Sequence, residues 1–150
     1  MAQTLTRILV HVVFSTKERV PWITPEIEPE LWPYMATIGR SNESPVLAIG
    51  GVADHVHFIL SLSKNLALKD LLMVIKKDSS KWLKTKGPQF GDFHWQDGYG
   101  GFSIGESQRE QVAAYIGRQK IKHQRMTFQE EFLGLLQRYQ VPYDERYIWT

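Results

Sequence analysis

The run from His55 to Leu62 constrains the fold more than any other part of the chain, because apolar and polar residues alternate along it. One side of this extended run carries two histidines, an isoleucine and a serine, and the other side carries Val56, Phe58, Leu60 and Leu62. The period of two predicts a strand whose apolar side lies under helices. The two imidazoles then lie about 7 Å apart on the opposite, half-exposed face, where both can reach one cation. From this pattern alone, metal binding and a purely structural role both remain open.

Strand-like and helix-like periods alternate along the rest of the chain. Further strands are predicted at 7–14, 45–52 and near 99–104, and helices at 31–40 and from 66 to about 84, with Asn65 as a helix cap. The order strand, helix, strand, strand, helix, strand predicts an α+β fold, a ferredoxin-like antiparallel sheet with two helices on one face. Two more helices follow, at 108–125 and 128–139. A chain of 150 residues has the length of one domain, so we expect residues 1–150 to form a single unit.

Composition excludes several classes of function. The chain has no cysteine, which rules out disulfides, thiolate catalysis and cysteine-based zinc or iron–sulfur sites. No apolar run approaches the roughly 20 residues that cross a bilayer, and the N-terminus lacks the features of a secretory signal, so we expect a cytoplasmic protein without a membrane span.

Basic residues are concentrated in two stretches although the net charge is only +2. Residues 64–86 contain seven lysines and two aspartates, and residues 117–125 contain four basic residues and no acid. Such stretches are typical of a surface that binds a polyanion, but solvated helix faces often look the same.

Tyr115 and Gln119 lie four residues apart in the predicted helix 108–125 and therefore share a face, which His123 continues. The basic residues Arg118 and Lys122 flank this stripe. A tyrosine near a metal ion and cations can attack a phosphodiester, whereas a packed tyrosine with a solvated hydroxyl is the structural alternative.

Two motifs together resemble the single-tyrosine HUH transposases, the family of insertion-sequence (IS200-like) and REP-associated tyrosine transposases. These motifs are Asp54-His-Val-His-Phe-Ile-Leu and Tyr115-Ile-Gly-Arg-Gln119, and the resemblance extends to the segments 11–17, 95–103 and 143–149. The chain departs from the family at Lys122, where many relatives have a histidine, and at Gly117, which weakens the tyrosine helix.

The resemblance implies a metal-dependent transposase whose C-terminal helices carry the tyrosine. His55, His57 and Gln119 match the residues that hold magnesium, for which manganese should substitute. Tyr115 matches the nucleophile that attacks single-stranded DNA with hairpin ends, becomes linked to the 5′ phosphate and releases a 3′ hydroxyl. No nucleotide cofactor is needed. The family also implies a homodimer in which the tyrosine helix of one subunit completes the histidine pair of the other, and the sequence leaves open whether Tyr115 docks in this way or on its own subunit.

The hairpin phosphates are expected on basic side chains of the two lysine- and arginine-rich stretches, namely Lys77, Lys81, Arg118 and Lys120. Two other interpretations remain. A noncatalytic domain that binds single-stranded nucleic acid would keep its role in a Tyr115→Phe variant. A metal-dependent hydrolase, in which water attacks the phosphate, would cut the strand without any covalent attachment to protein.

Overall fold

Four antiparallel strands form the central sheet in a computed structural model that describes residues 2–150. The strands are β1 (Leu9–Ser15), β2 (Val46–Val52), β3 (His55–Ser61) and β4 (Gly100–Ile104), in the spatial order β2-β3-β1-β4. β1 pairs with β3 along its whole length, so these two strands form the centre of the sheet. The predicted α+β, ferredoxin-like fold class is therefore confirmed.

Helices α1 (Glu28–Ser41) and α2 (Leu68–Lys84) cover one face of the sheet and enclose the main hydrophobic core. The apolar side of β3 lies in this core, as its period of two predicts. The predicted cap was wrong, because α2 begins at Leu68 after an Ala67 N-cap. The Asn65 side chain instead donates a hydrogen bond to the Glu43 carboxylate, 3.0 Å away, and does not cap the helix.

The opposite face of the sheet is also covered, by α3 (Arg109–Gly117), α4 (Gln119–Lys122) and α5 (Phe128–Arg138). The prediction of a half-exposed face was therefore wrong, and His55 and His57 are both 0% exposed. The helix predicted at 108–125 is divided at Arg118, whose backbone angles (φ −102°, ψ 17°) are not helical. Among residues 2–150, no helix combines the length and the apolar character that crossing a membrane requires.

Gly50 allows α3 to lie very close to β2. A Cβ atom at this position would lie 3.0 Å from the carbonyl oxygen of Ile116 and 3.2 Å from its Cγ2 atom. Gly50 pairs with His57 across the sheet, and Tyr115 precedes Ile116 in α3. The missing side chain thus allows the close approach of the tyrosine helix to β2, the neighbour of the histidine strand.

Candidate metal and tyrosine site

Both histidines of β3 direct one ring nitrogen into the space between the sheet and the second helical layer. The Nδ1 atom of His55 lies 2.7 Å from the Asp54 carboxylate, and Nδ1 of His57 lies 2.9 Å from Nε2 of His11. These partners fix the orientation of each ring and leave both Nε2 atoms facing the same point. His11 belongs to β1, where register with β3 brings it beside the pair.

Glu131 of α5 completes this group, although the sequence analysis missed it. Its Oε1 atom lies 3.1 Å from Nε2 of His57 and 3.4 Å from Nε2 of His55. Ligand atoms of the three residues lie within 4.8 Å of one another, as expected for a set that can hold one cation. A sequence signal existed, because Glu131 shares the apolar stripe of α5 with Phe128 and Leu135, and a charge on a buried stripe requires partners.

The Gln119 amide lies in the same group and is 1% exposed. Its Oε1 atom is 3.0 Å from Nε2 of His55, and its Nε2 atom donates a hydrogen bond to Oε2 of Glu131 at 2.9 Å. His123 lies beside both residues, with Nε2 3.0 Å from the Gln119 oxygen and 2.9 Å from Oε1 of Glu131. Gln119 is the first residue of α4, so the break at Arg118 accompanies its inward orientation.

Tyr115 reaches this group from α3 of the same chain. Its hydroxyl donates a hydrogen bond to Oε2 of Glu131, the oxygen that does not face the histidines. The ring centroids of Tyr115 and His57 are 5.7 Å apart, in an edge-to-face arrangement. Phenol, carboxylate, amide and both imidazoles of the site therefore come together within a single chain.

The carboxyl of Glu131 is ionised in this environment. Burial alone would raise its pKa, but the hydrogen bonds with His123, His55 and His57 outweigh burial and hold the pKa well below its ordinary value. For Tyr115, burial and then the hydrogen bond to the Glu131 carboxylate raise the pKa above its ordinary value. The phenol therefore keeps its proton, which it donates in the hydrogen bond to the Glu131 carboxylate.

The imidazoles differ in charge. Burial would lower the pKa of His55, but hydrogen bonds with Asp54, Glu131 and Gln119 prevail and raise it to about 9. Burial lowers the pKa of His57, and it lowers that of His11 to about 3, so both rings are neutral. The positive charge of protonated His55 thus balances the negative charge of Glu131. A metal cation bound by the same atoms could replace this proton.

The donor set fits a divalent metal ion. It combines two imidazole nitrogens with a carboxylate and an amide oxygen, and the single anionic ligand offsets part of a double positive charge. Magnesium favours oxygen ligands, which the carboxylate and the amide supply, whereas manganese also accepts the two imidazole nitrogens readily. The donor set therefore suits both ions and does not select one of them.

A cleft of about 440 Å³ opens beside Tyr115, between α3 and α5. Its lining includes the basic side chains of Arg118, Lys122 and Arg138. The Lys122 ammonium lies 5.0 Å from the centre of the Tyr115 ring. Within residues 2–150, neither Lys122 nor Arg138 forms a salt bridge, so their charges are available to an anion entering the cleft.

The four basic residues predicted to bind DNA lie in different places. Arg118 lines the cleft beside Tyr115. Lys120 lies on α4, where its ammonium is 3.2 Å from the Glu28 carboxylate. Lys77 and Lys81 are exposed on α2, in the helical layer on the other face of the sheet, so the structure does not bring them near the tyrosine. Arg138, in the last turn of α5, was missed by the sequence analysis.

Comparisons with known proteins agree on one family. The family model described as transposase IS200-like matches residues 4–119. The transposase TnpA of ISDra2 from Deinococcus radiodurans is 26% identical over 117 residues, which cover 75% of this chain and 84% of that protein.

Two solved structures share the fold. A crystal structure assigned to a transposase of Deinococcus radiodurans R1 superimposes with a TM-score of 0.61 at 22% identity, covering 77% of this chain and 93% of that one. A REP-associated tyrosine transposase bound to a REP hairpin superimposes with a TM-score of 0.59 at 16% identity, covering 82% of this chain and 74% of that one.

Proposed function

Since the chain belongs to the IS200-like transposase family, we propose that it cleaves and rejoins single-stranded DNA through a covalent 5′-phosphotyrosine link on Tyr115. One observation carries the proposal. The Tyr115 hydroxyl donates a hydrogen bond to one oxygen of Glu131 while the other oxygen faces His55 and His57. A nucleophile and a set of metal ligands thus meet at one point, joined by the Glu131 carboxylate.

The reaction exchanges one phosphodiester bond for another. The phenol oxygen of Tyr115 attacks the phosphorus and gives up its proton to solvent, and the bond from phosphorus to the 3′ oxygen breaks. The 3′ oxygen takes up a proton and leaves as a hydroxyl. Because the phosphotyrosine bond conserves the energy of the cleaved bond, the 3′ hydroxyl of a new junction can reverse the step without ATP.

We propose that His55, His57 and Gln119 hold the divalent ion, with Glu131 as a further ligand. A bound ion would withdraw charge from the scissile phosphate. Magnesium is the expected ion, with manganese as a substitute. The Asp54 carboxylate and His11 act as positioning residues, because they orient the two imidazoles.

The substrate proposed for the cleft is the backbone of a single strand next to a DNA hairpin. Hairpin binding is suggested by the solved relative in complex with a REP hairpin. Arg118, Lys122 and Arg138 surround Tyr115 and would attract the phosphates. Lys120, Lys77 and Lys81 stay predicted DNA contacts, and the latter two would require the folded part of the DNA to reach the other side of the protein.

We also propose that Tyr115 acts within its own subunit, since its hydroxyl contacts the Glu131 carboxylate of the same chain. Residues 1–150 would then work as one transposase domain, in which both helical layers pack on the same sheet. The homodimer implied by the family stays a prediction, and a tyrosine that acts in its own subunit does not require it.

The test compares the unmodified protein with Tyr115→Phe and with Tyr139→Phe, a control whose tyrosine lines the same cleft and stacks on Phe102. Each protein is incubated with magnesium and single-stranded hairpin oligonucleotides from the DNA that flanks its own gene. The proposal predicts a slow band of protein attached to DNA on a denaturing gel, absent only for Tyr115→Phe, with DNA binding retained.

Other outcomes point to the other functions. Binding without cleavage by any of the three proteins would indicate a noncatalytic domain that binds single-stranded nucleic acid. Cleaved DNA that never remains attached to protein would indicate a hydrolase in which water attacks.

A further inference from the structure

A second cavity, of about 490 Å³, lies on the other side of α5 from Tyr115. Phe128, Phe132 and Leu136 line it from α5, whereas Glu131 and Leu135 face the tyrosine. We propose that this cavity binds one unpaired base of the DNA strand that Tyr115 cleaves. The inference rests on the proposed function and adds a place where the protein reads the DNA.

Aromatic side chains line the cavity from three segments of the chain, namely Tyr99, Phe132, Tyr143, Tyr147 and Trp149. Tyr99 is 40% exposed and Tyr147 is 65% exposed, so their rings are open to a ligand. Bases of a single strand stack on such rings, and a cavity of this size is large enough for a nucleotide. A paired base inside a hairpin stem has no free face and would not fit this role.

Two cationic side chains lie beside these rings. The guanidinium carbon of Arg19 lies 5.7 Å from the centre of the Trp149 ring, and the Lys76 ammonium, which donates hydrogen bonds to the backbone carbonyls of Gln96 and Gly98, lies 5.9 Å from that of Tyr99. These charges favour a ligand that carries phosphate next to a flat apolar group. Gln96 and Asp97 also line the cavity and can form hydrogen bonds with the edge of a base, Gln96 through its amide N–H groups because its Oε1 atom accepts from the Glu18 backbone N–H. An unpaired nucleotide offers a flat base to the aromatic rings, a phosphate to the cations and a base edge to the polar side chains.

The cavity adjoins the candidate metal site through one side chain. Phe128 lines the cavity, and its ring centroid lies 4.6 Å from that of His55. Ser15, another lining residue, pairs with His55 across the sheet. A base held here is separated from Tyr115 by the width of α5, so it would belong to a nucleotide near the cleaved phosphate.

The test uses 2-aminopurine, a fluorescent base that is quenched when it stacks on an aromatic ring. It replaces, one position at a time, the unpaired bases beside the hairpin in the oligonucleotides described above. We expect the complex with unmodified protein to quench one position about twofold or more. Trp149→Ala and Tyr147→Ala should remove that quench and weaken DNA binding, measured by fluorescence anisotropy, on the order of tenfold. Tyr147 is mostly exposed, so its variant should fold even where Trp149→Ala does not.

Two controls separate this site from the reaction. Tyr34→Ala removes an aromatic ring that stacks on Trp82 in the other helical layer, and it should leave the quench unchanged. Tyr115→Phe should abolish the covalent band and keep the quench. If a complex forms and the covalent band appears, but no position is quenched or the quench persists in both cavity variants, the base site is wrong and the tyrosine chemistry stands. If anisotropy detects no complex at all, both proposals are wrong.

Discussion

Replacing Gly50 with alanine should slow the tyrosine reaction without replacing any residue that is proposed to contact DNA or metal. The new methyl group would face the carbonyl oxygen of Ile116 at 3.0 Å and its Cγ2 atom at 3.2 Å. Ordinary contacts of a Cβ atom begin at about 3.4 Å. Because the first neighbour is helix backbone, it cannot rotate away, and α3 must move from the sheet by a few tenths of an ångström.

The size of the effect follows from that displacement. A misplacement of 1 Å can cost a reaction on the order of a hundredfold, so a few tenths should slow attack by Tyr115 about threefold to tenfold. Overpacking costs about 1–3 kcal/mol, and the smaller entropy of the unfolded chain with alanine offsets about 0.4–1 kcal/mol of it. We therefore expect a folded protein with a modest loss of stability.

The assay is the single-turnover rate of covalent band formation, at saturating protein and magnesium, so that DNA affinity does not enter. Gly105→Ala serves as the control, because a Cβ atom there meets nothing closer than 3.7 Å. Urea unfolding of both variants measures the loss of stability. An unchanged rate in Gly50→Ala, with the control also unchanged, would refute the idea that this contact sets the position of the tyrosine.

Three further predictions concern the buried polar contacts. Glu131→Gln should weaken manganese binding at least tenfold in calorimetry, since it removes the anionic ligand, and equal affinity would exclude Glu131 from the site. Asp54→Asn should lower the pKa of His55 from about 9, because a carboxylate hydrogen bond is lost; an NMR titration without divalent ions measures it, and an unchanged pKa would contradict the assigned cause. Ser79→Ala leaves the buried Trp95 indole N–H without its acceptor at 2.9 Å and should cost about 1–3 kcal/mol in urea unfolding, whereas no loss would mean that another acceptor replaces the serine.

Local periodicity was enough to predict the sheet and the first helical layer. The strand at 55–62 and the helix at 66–84 each bury an apolar side in the core between the sheet and the first helical layer. The spacing of their apolar residues therefore predicts this packing directly. The second layer was harder to predict, because α3 offers the sheet only a short stripe, namely Val112, Ala113, Tyr115 and Ile116. The break at Arg118 had one local signal, the helix-weakening Gly117, but its position also depends on contacts that Gln119 makes with distant residues.

The candidate site also contains residues that local spacing predicts and residues that it does not predict. Two histidines on one strand and a tyrosine four residues before a glutamine are local spacings, and both are visible in the sequence. Glu131 follows Gln119 by 12 residues and His57 by 74, so its place depends on how α5 packs on the sheet. The basic residues show the same limit, because charge density pointed to α2 as well as to residues 117–125, whereas the cations nearest the tyrosine are Arg118 and Lys122 of that second stretch and Arg138 of α5.

The shared family region ends at Gln119, but the carboxylate that faces both histidines comes from α5. A graft of residues 4–119 into another scaffold would carry the imidazoles, the amide and the phenol and would lack the anion that balances a doubly charged ion. Engineers who wish to transplant this chemistry should therefore move Phe128–Arg138 together with the family core.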